Sequence, residues 1–259
     1  MNKSLRSGKR LPQNTFSLPG AWISEIFSSI QGEGIYVGKP QLFVRLCGCN
    51  LSCIYCDTKN NNFTNKNLRT IPDVVKTIRF FNNPKNLYNT VVFTGGEPLL
   101  QAKFLKTISP IFKKEGFKIY LETNGILSKE LKYVINDVDI ISMDMKLPSS
   151  TGINGLWEKH LEFLRIASKK NTFVKTIVTP YTLNCDIKKC VQIISKVNCN
   201  VPLVLQPATP KGTIKLVPVK TGIKKFPTLK QLLNWYVIAK SQLTDVRIIP
   251  QVHKIMDVR

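Results

Sequence analysis

Short apolar runs and longer amphipathic stretches follow one another along most of the chain. The runs have the length and the Val, Ile and Phe content of buried strands, and in the stretches apolar residues recur every three or four positions, as on one helix face. The predicted strands are 22–28, 41–46, 90–93, 117–121, 139–143, 172–178, 203–205 and 245–249. The predicted helices are 72–81, 99–114, 128–135, 156–169, 185–197 and 228–242. This alternation predicts an α/β fold with a parallel sheet and helices outside it.

Polar residues stand at or just after the ends of several predicted strands. They are Arg45, Thr94, Glu122, Asp144 and Gln206. In parallel α/β folds the carboxyl ends of the strands share one edge, and ligands bind there. We therefore expect these side chains to lie around one site.

The chain has 259 residues, of which 43% are hydrophobic, and this is enough for one full core. Residues 1–20 hold four basic and no acidic residues and end in Pro-Gly, which predicts a flexible basic arm. We expect residues 21–259 to fold as a single domain. No apolar run approaches the roughly 20 residues of a membrane span, and no signal-peptide core lies near Met1. We therefore expect no membrane partner and a cytoplasmic location, where thiolates stay reduced.

The formal net charge is +22 at pH 7. A basic surface can indicate a nucleic-acid partner. Here Lys and Asn are abundant and the basic residues are scattered through every segment, which is typical of drift in an A+T-rich genome. We therefore do not expect a nucleic-acid partner.

Four of the seven cysteines fall within ten residues, separated by Gly, Asn and Ser. Cys49, Cys53 and Cys56 have the spacing C-x3-C-x2-C, which is typical of a loop around iron or zinc. Three ligands are too few for a closed zinc site, and no second pair lies nearby. A structural zinc loop or a disulfide pair remains an alternative. Cys47 offers a competing C-x5-C-x2-C set. Changing Cys47 and Cys49 one at a time to Ala, followed by iron and sulfide counting, would decide between them.

The remaining cysteines, Cys185, Cys190 and Cys199, lie in or beside a predicted helix. We interpret them as buried small hydrophobes or free surface thiols, because nothing near them supplies further metal ligands.

Residues 94–98, Thr-Gly-Gly-Glu-Pro, follow a buried strand. Two glycines allow backbone to approach a ligand where a Cβ would collide. The cysteine spacing, with Tyr55 before the last cysteine, together with this segment resembles the radical S-adenosylmethionine (SAM) superfamily. Residues 28–34, 45–51 and 53–58, in that order, are similar to its 7-carboxy-7-deazaguanine synthases. The fold that this resemblance implies is a partial, TIM-like α/β barrel.

The resemblance also implies the cofactors: a [4Fe-4S] cluster on Cys49, Cys53 and Cys56, SAM at its open iron, and Mg²⁺ with Thr58 as its protein ligand. The residues implied for SAM are Tyr55, Cys56, Asp57, Gly96, Asp144, Met145, Lys146, Gln206, Pro207, Ala208 and Thr209. No catalytic side chain is implied beyond those that position cofactor and substrate.

The implied activity is that of a carbon–nitrogen lyase in queuosine and 7-deazapurine biosynthesis, a pathway of tRNA modification. It converts 6-carboxy-5,6,7,8-tetrahydropterin to 7-carboxy-7-deazaguanine with loss of ammonia. Arg45 would bind the substrate carboxylate, since its rigid fork suits a planar anion. The implied substrate-binding residues are Ile30, Gln31, Gly32, Glu33, Arg45, Thr94 and Arg259, the last through a terminal carboxylate.

The family implies an electron donor such as flavodoxin or ferredoxin, and a homodimer is a further expectation. Two other functions remain as alternatives. One is a glycyl-radical-enzyme activating enzyme, which shares the cysteine spacing but would dock a large protein. The other is a non-enzymatic metal- or RNA-binding module.

Overall fold

A computed structural model describes residues 20–56, 58, 63–209 and 226–258, and in this part of the chain nine strands form one sheet. The strands are β1 (Gly20–Ile30), β2 (Pro40–Leu46), β3 (Leu68–Thr70), β4 (Thr90–Gly95), β5 (Lys118–Thr123), β6 (Ile140–Asp144), β7 (Asn171–Val178), β8 (Leu203–Pro207) and β9 (Val246–Ile248). The helices are α1 (Ile71–Phe81), α2 (Ala102–Lys114), α3 (Ser128–Val134), α4 (Pro148–Thr151), α5 (Trp157–Ala167), α6 (Asn184–Val197), α7 (Leu229–Lys240) and α8 (Val252–Ile255). Every predicted strand and helix is present, with shifted ends. The elements β3, α4 and α8 were not predicted from the sequence.

The sheet has the strand order β3-β1-β2-β4-β5-β6-β7-β8-β9. All neighbouring strands from β2 to β9 are parallel, whereas β1 runs antiparallel to both β2 and β3. The first and last strands in this order, β3 and β9, do not pair with each other. The sheet is therefore an open, partial α/β barrel, as predicted.

Two cores lie on opposite faces of the sheet. The larger packs the helices against one face, with Val74 and Ile78 from α1, Phe112 from α2 and Trp235 from α7 among its members. The smaller core, around Phe173, occupies the other face and consists mostly of single residues contributed by the strands. The helices of the larger core therefore cover one face, and the ligand site opens on the other side, at the carboxyl ends of the strands.

Local sequence signals account for where two of the helices begin. In α1, Thr70 and Asp73 form a capping box in which each side chain bonds the other residue's backbone N–H, and Pro72 follows the first residue. Thr228 and Gln231 form the same arrangement at the start of α7. None of the helices in the described residues combines the length and apolar composition that a bilayer crossing needs.

Candidate active site

A cavity of about 1040 Å³ opens at the carboxyl ends of the parallel strands. Arg45, Thr94, Glu122 and Asp144 line it, from β2, β4, β5 and β6 in turn. Lys175, from β7, lines it as well, because its position on the neighbouring strand is in register with Asp144. The expectation that strand-end polar residues gather at one site holds for four of the five. Gln206 is fully buried and does not line the cavity.

The cysteine loop forms one wall of this cavity. Cys49, Cys53 and Cys56 all line it, and the Cys49 Sγ accepts a hydrogen bond from the Leu51 N–H at 3.5 Å. Burial raises the pKa of Cys49 to about 11, and it also raises the pKa of Cys53. Thiolates at these positions therefore need a compensating positive charge, which iron provides. The three thiols suit an iron–sulfur cluster in their residue type and in facing one cavity.

Among the described residues, no three His, Cys, Asp or Glu side chains converge closely enough to hold a metal ion. A mononuclear zinc site needs its ligands around one ion. In an iron–sulfur cluster each cysteine binds a different iron, so the thiolates stand farther apart. Cys49, Cys53 and Cys56 nevertheless line one cavity, as ligands of one cluster would.

Cys47 lies outside the cavity. Its side chain is fully buried, and its Sγ accepts a hydrogen bond from Asn67 Nδ2 at 3.3 Å. This environment favours Cys49 over Cys47 as the first ligand. Cys190 is buried in α6, and Cys185 and Cys199 are exposed, far along the chain from the cysteine loop.

Gly95 and Gly96 hold the cysteine loop against β4. A Cβ on Gly95 would lie 2.1 Å from the carbonyl oxygen of Leu46, and one on Gly96 would lie 1.9 Å from that of Gly48. The close approach that these glycines permit is therefore to the protein's own backbone, not only to a ligand as the sequence suggested. Gly95 also has φ +137°, which other residues rarely adopt.

Glu97 fixes the turn that these glycines begin. Its Oε1 accepts hydrogen bonds from the Leu99 N–H at 3.0 Å and the Thr123 hydroxyl at 2.8 Å, and its Oε2 accepts one from the Asn124 N–H at 2.8 Å. Its own backbone N–H donates to Gly48 at 2.8 Å. Burial raises the pKa of Glu97 to about 7 although these bonds oppose the shift. Glu97 thus ties the cysteine loop to the ends of β4 and β5.

A buried ion pair lies beside the cysteine loop. Lys146 Nζ is 2.7 Å from Asp144 Oδ2 and 3.3 Å from the Tyr55 hydroxyl. Burial opposes the charge of Lys146, but Asp144 outweighs it and raises the pKa of the lysine. The second oxygen of Asp144, Oδ1, is buried and has no hydrogen-bond partner. It is an acceptor that a bound ligand can satisfy.

His160 lies behind this ion pair. Its Nε2 is 3.2 Å from the carbonyl oxygen of Asn124, and Asn124 Nδ2 donates to Asn50 Oδ1 at 2.7 Å. Burial lowers the pKa of His160 to about 4, so the ring is neutral at pH 7. The polar contacts at the end of β5 therefore reach both the cysteine loop and α5.

At the opposite side of the cavity, Glu33 is held by two donors. Lys175 Nζ forms a close ion pair with Glu33 Oε2, and Gln251 Nε2 donates to Glu33 Oε1 at 2.7 Å. Burial alone would raise the pKa of Glu33, but these two partners outweigh it and hold the pKa well below its usual range. Glu33 is therefore a carboxylate that presents acceptor oxygens in the cavity.

Gln31 and Thr94 converge on Glu122. Gln31 Nε2 is 3.0 Å from Glu122 Oε1, and the Thr94 hydroxyl donates to Glu122 Oε2 at 2.7 Å. Gln31 Nε2 also lies 3.1 Å from Gln41 Oε1. These contacts fix a row of polar groups that runs from the residue after β1 across β2, β4 and β5.

Arg45 keeps much of its hydrogen-bonding capacity for a ligand. Its Nε lies 3.8 Å from Glu25 Oε2, beyond hydrogen-bond distance, and its guanidinium lies 5.4 Å from the centre of the Phe27 ring. Of the three lysines that line the cavity, Lys146 and Lys175 are ion-paired with carboxylates, and Lys254 Nζ donates to Gln251 Oε1 at 2.9 Å. Arg45 has a planar guanidinium with donors left for a further anion, which suits it to a carboxylate.

Most of the residues predicted for SAM, substrate and Mg²⁺ line the cavity. Those that do are Ile30, Gln31, Gly32, Glu33, Arg45, Tyr55, Cys56, Thr58, Thr94, Gly96, Asp144, Lys146, Ala208 and Thr209. Met145 lies in the helix-side core, and Gln206 and Pro207 are not part of the lining. Asp57 and Arg259 lie outside the described residues, as do residues 1–19 of the predicted arm. Thr58 Oγ1 is 3.5 Å from Cys56 Sγ.

Among the polar residues of the cavity that the sequence did not identify as site residues are Lys175, Gln251, His253 and Asn124. Lys175 lies inside a predicted buried strand. Charged residues are rare at such positions, and this could have indicated a functional role for Lys175. Gln251 and His253 belong to the segment that packs over Gly32, where the Val252 N–H donates to the Gly32 carbonyl at 2.9 Å.

Comparison with known proteins gives one consistent result. The model of the radical SAM superfamily matches residues 44–189. The chain is 37% identical over 258 residues to a 7-carboxy-7-deazaguanine synthase of Geobacter sulfurreducens, covering 93% of this chain and 98% of that protein. It is 34% identical to one of Methanocaldococcus jannaschii, covering 74% and 85%. A crystal structure of QueE from Escherichia coli has a similar fold, with TM-score 0.59 and 20% identity over 90% of this chain and 95% of that one.

Proposed function

We infer that this chain, which belongs to the 7-carboxy-7-deazaguanine synthase family of the radical SAM superfamily, converts 6-carboxy-5,6,7,8-tetrahydropterin to 7-carboxy-7-deazaguanine. The reaction contracts a ring and releases ammonia, so the enzyme is a carbon–nitrogen lyase. One observation carries the inference beyond the comparisons. A single cavity joins three cysteines to an arginine suited to a carboxylate and to a buried carboxylate suited to a pterin edge.

The cofactors are a [4Fe-4S] cluster on Cys49, Cys53 and Cys56, SAM, and Mg²⁺. When bound, the cluster and SAM supply the one-electron chemistry that removes a hydrogen atom from the substrate. What the chain itself supplies is three thiols on one wall of a cavity and, on its other walls, the polar groups that would hold both ligands. Thr58 would supply one protein oxygen to Mg²⁺, which usually takes few protein ligands.

For SAM we propose the half of the cavity next to the cysteine loop. Asp144 Oδ1 is a buried acceptor without a protein partner and suits an ammonium donor. Lys146 Nζ is ion-paired with the other oxygen of Asp144 and lies 5.3 Å from the centre of the Tyr55 ring. The full set proposed for SAM is Tyr55, Cys56, Asp57, Gly96, Asp144, Met145, Lys146, Gln206, Pro207, Ala208 and Thr209. The members of this set that do not line the cavity would contact SAM through backbone atoms or hold in place the residues that do.

For the pterin we propose the other half of the cavity, with Arg45 on the carboxylate. Glu33 accepts from the donors of the amino-pyrimidinone edge, since each of its oxygens retains a lone pair beyond its present bond. Ile30, Gln31, Gly32 and Thr94 surround the ring.

Arg259 is the remaining residue proposed for the substrate, through a carboxylate at the end of the chain. The segment before it supports this role, since Gln251, His253 and Lys254 already line the cavity. A peptide tag added after Arg259 should raise the substrate KM sharply, whereas the same tag before Met1 should not. Equal kinetics for the two tagged proteins would refute the role of this carboxylate.

We further propose a flavodoxin or ferredoxin as the reductant, a homodimer as the assembly and the cytoplasm as the location. The location is supported by the cysteines, because all seven are free thiols and such thiols persist in a reducing compartment. The basic segment 1–20 followed by one domain from 21 to 259 also remains a proposal.

The decisive experiment uses anaerobically reconstituted protein with SAM, dithionite, Mg²⁺ and the carboxytetrahydropterin. Mass spectrometry should detect 7-carboxy-7-deazaguanine, and Cys53→Ala should abolish it together with the cluster absorption. Cys190→Ala is the matched control, since that thiol lies in α6. Cluster assembly and SAM cleavage without a deazaguanine product would refute the proposed substrate and would indicate a radical SAM enzyme that acts on another one.

A further inference from the structure

Lys175 touches both halves of the cavity. Its Nζ forms a close ion pair with Glu33 Oε2 and lies 3.8 Å from Asp144 Oδ2. Its side chain is 10% exposed. It is the only residue of the described chain that is ion-paired with both carboxylates.

The surroundings make the two contacts mutually dependent. Burial would lower the pKa of Lys175, but Glu33 and Asp144 outweigh it, and the lysine stays charged. Without its ammonium, Glu33 would keep only the Gln251 amide, whereas Asp144 would still have Lys146. A shift of either carboxylate toward a ligand therefore alters the contact that Lys175 makes with the other one.

We propose that Lys175 is a positioning residue that couples the two ligands, by holding Glu33 toward the pterin and Asp144 toward SAM at the same time. The proposal rests on the proposed function, because it uses the same division of the cavity. By linkage, the substrate must then strengthen SAM binding by the same factor as SAM strengthens substrate binding. For the wild-type protein we expect a factor of at least about five.

The test measures equilibrium binding by isothermal titration calorimetry on cluster-loaded protein, without added reductant. SAM is titrated with and without the carboxytetrahydropterin, and the pterin with and without SAM. Lys175→Met keeps the aliphatic stem and removes the charge. It should raise the pterin Kd by about 10- to 100-fold, as loss of a charged hydrogen bond does, and reduce the coupling factor to one. Lys175→Arg should retain most of the coupling.

A second pair of measurements separates positioning from folding. Lys175→Met leaves an unpaired buried carboxylate and should lower the thermal unfolding temperature of the apo-protein. Adding Glu33→Gln removes that charge and should restore the temperature, but not the pterin affinity. Lys113→Met, which breaks the remote ion pair with Asp139, should leave affinity and coupling unchanged.

The outcomes are distinct. Wild-type protein that binds no pterin and makes no product would overturn the proposed function, and this proposal with it. An active wild type whose coupling survives in Lys175→Met would overturn the coupling role alone. Recovery of pterin affinity in the double variant would show that neither the Lys175 ammonium nor the Glu33 carboxylate is needed for pterin binding, and this result would also overturn the proposal.

Discussion

Gly96→Ala should destabilise the fold and prevent cluster assembly although all three thiol ligands remain. The new Cβ would lie 1.9 Å from the Gly48 carbonyl oxygen, 2.5 Å from the Gly48 carbonyl carbon and 3.0 Å from Cys49 Cβ. Two of these three atoms belong to backbone, so the cysteine loop has to move. Overpacking of this kind costs about 1–3 kcal/mol.

The displacement would also break hydrogen bonds. The Gly96 N–H donates to Leu46 at 3.2 Å and the Glu97 N–H donates to Gly48 at 2.8 Å, and each bond is worth about 0.5–1.5 kcal/mol. Together with the overpacking term, the loss in the free energy of unfolding is about 2–6 kcal/mol.

Urea unfolding of the apo-protein measures the loss, and iron and sulfide per chain after reconstitution measure cluster assembly. Gly116→Ala is the matched control, because its Cβ would meet no atom within 4 Å and only its φ of +89° opposes the change. That strain costs about 1–2 kcal/mol and should leave the iron content unchanged. Gly96→Ala protein with normal stability and a full cluster that fails only to bind SAM would refute the reasoning, and would mean that the glycine makes room for the ligand alone.

Three further predictions concern single side chains. The pKa of Glu97 is about 7 in the folded apo-protein and 4.5 in the unfolded chain, so its contribution to the free energy of unfolding should fall by roughly 3 kcal/mol as pH rises from about 4.5 to about 7. Urea unfolding across this range should show that difference between the wild type and Glu97→Gln. Parallel stability curves for the two proteins would contradict the prediction. Arg45→Ala should abolish turnover of the carboxylated pterin but preserve SAM cleavage, measured as 5′-deoxyadenosine, and equal loss of both would mean that Arg45 supports the cysteine loop. Thr58→Ala should weaken the dependence of the rate on added Mg²⁺ at unchanged iron content. A magnesium titration identical to that of the wild type would mean that Thr58 is not the protein ligand of Mg²⁺.

The order of elements and the position of the site could be predicted because their signals are local. Apolar runs such as Val91 to Phe93 identify a strand without knowledge of its partners, and a parallel sheet then brings Arg45, Thr94, Glu122 and Asp144 to one edge. The cysteine spacing likewise lies within a single loop.

The remaining features could not be predicted because they depend on contacts between distant residues. Gln251 and Glu33 are 218 residues apart in the chain, and no local pattern relates them. Lys175 occupies one position of an apolar strand, and only the fold shows that two carboxylates face it. The roles of Gly95 and Gly96 were ambiguous for the same reason, since the backbone that approaches them is that of β2 and the cysteine loop.

The pairing of Gly32 with Val252 also sets the order in which the site can form during synthesis. The segments that carry the cysteines and Asp144 leave the ribosome before residues 251–254 do, because synthesis runs from the amino terminus. The pterin half needs residues 251–254 as well. The substrate half of the cavity can therefore form only after residue 254 has been made.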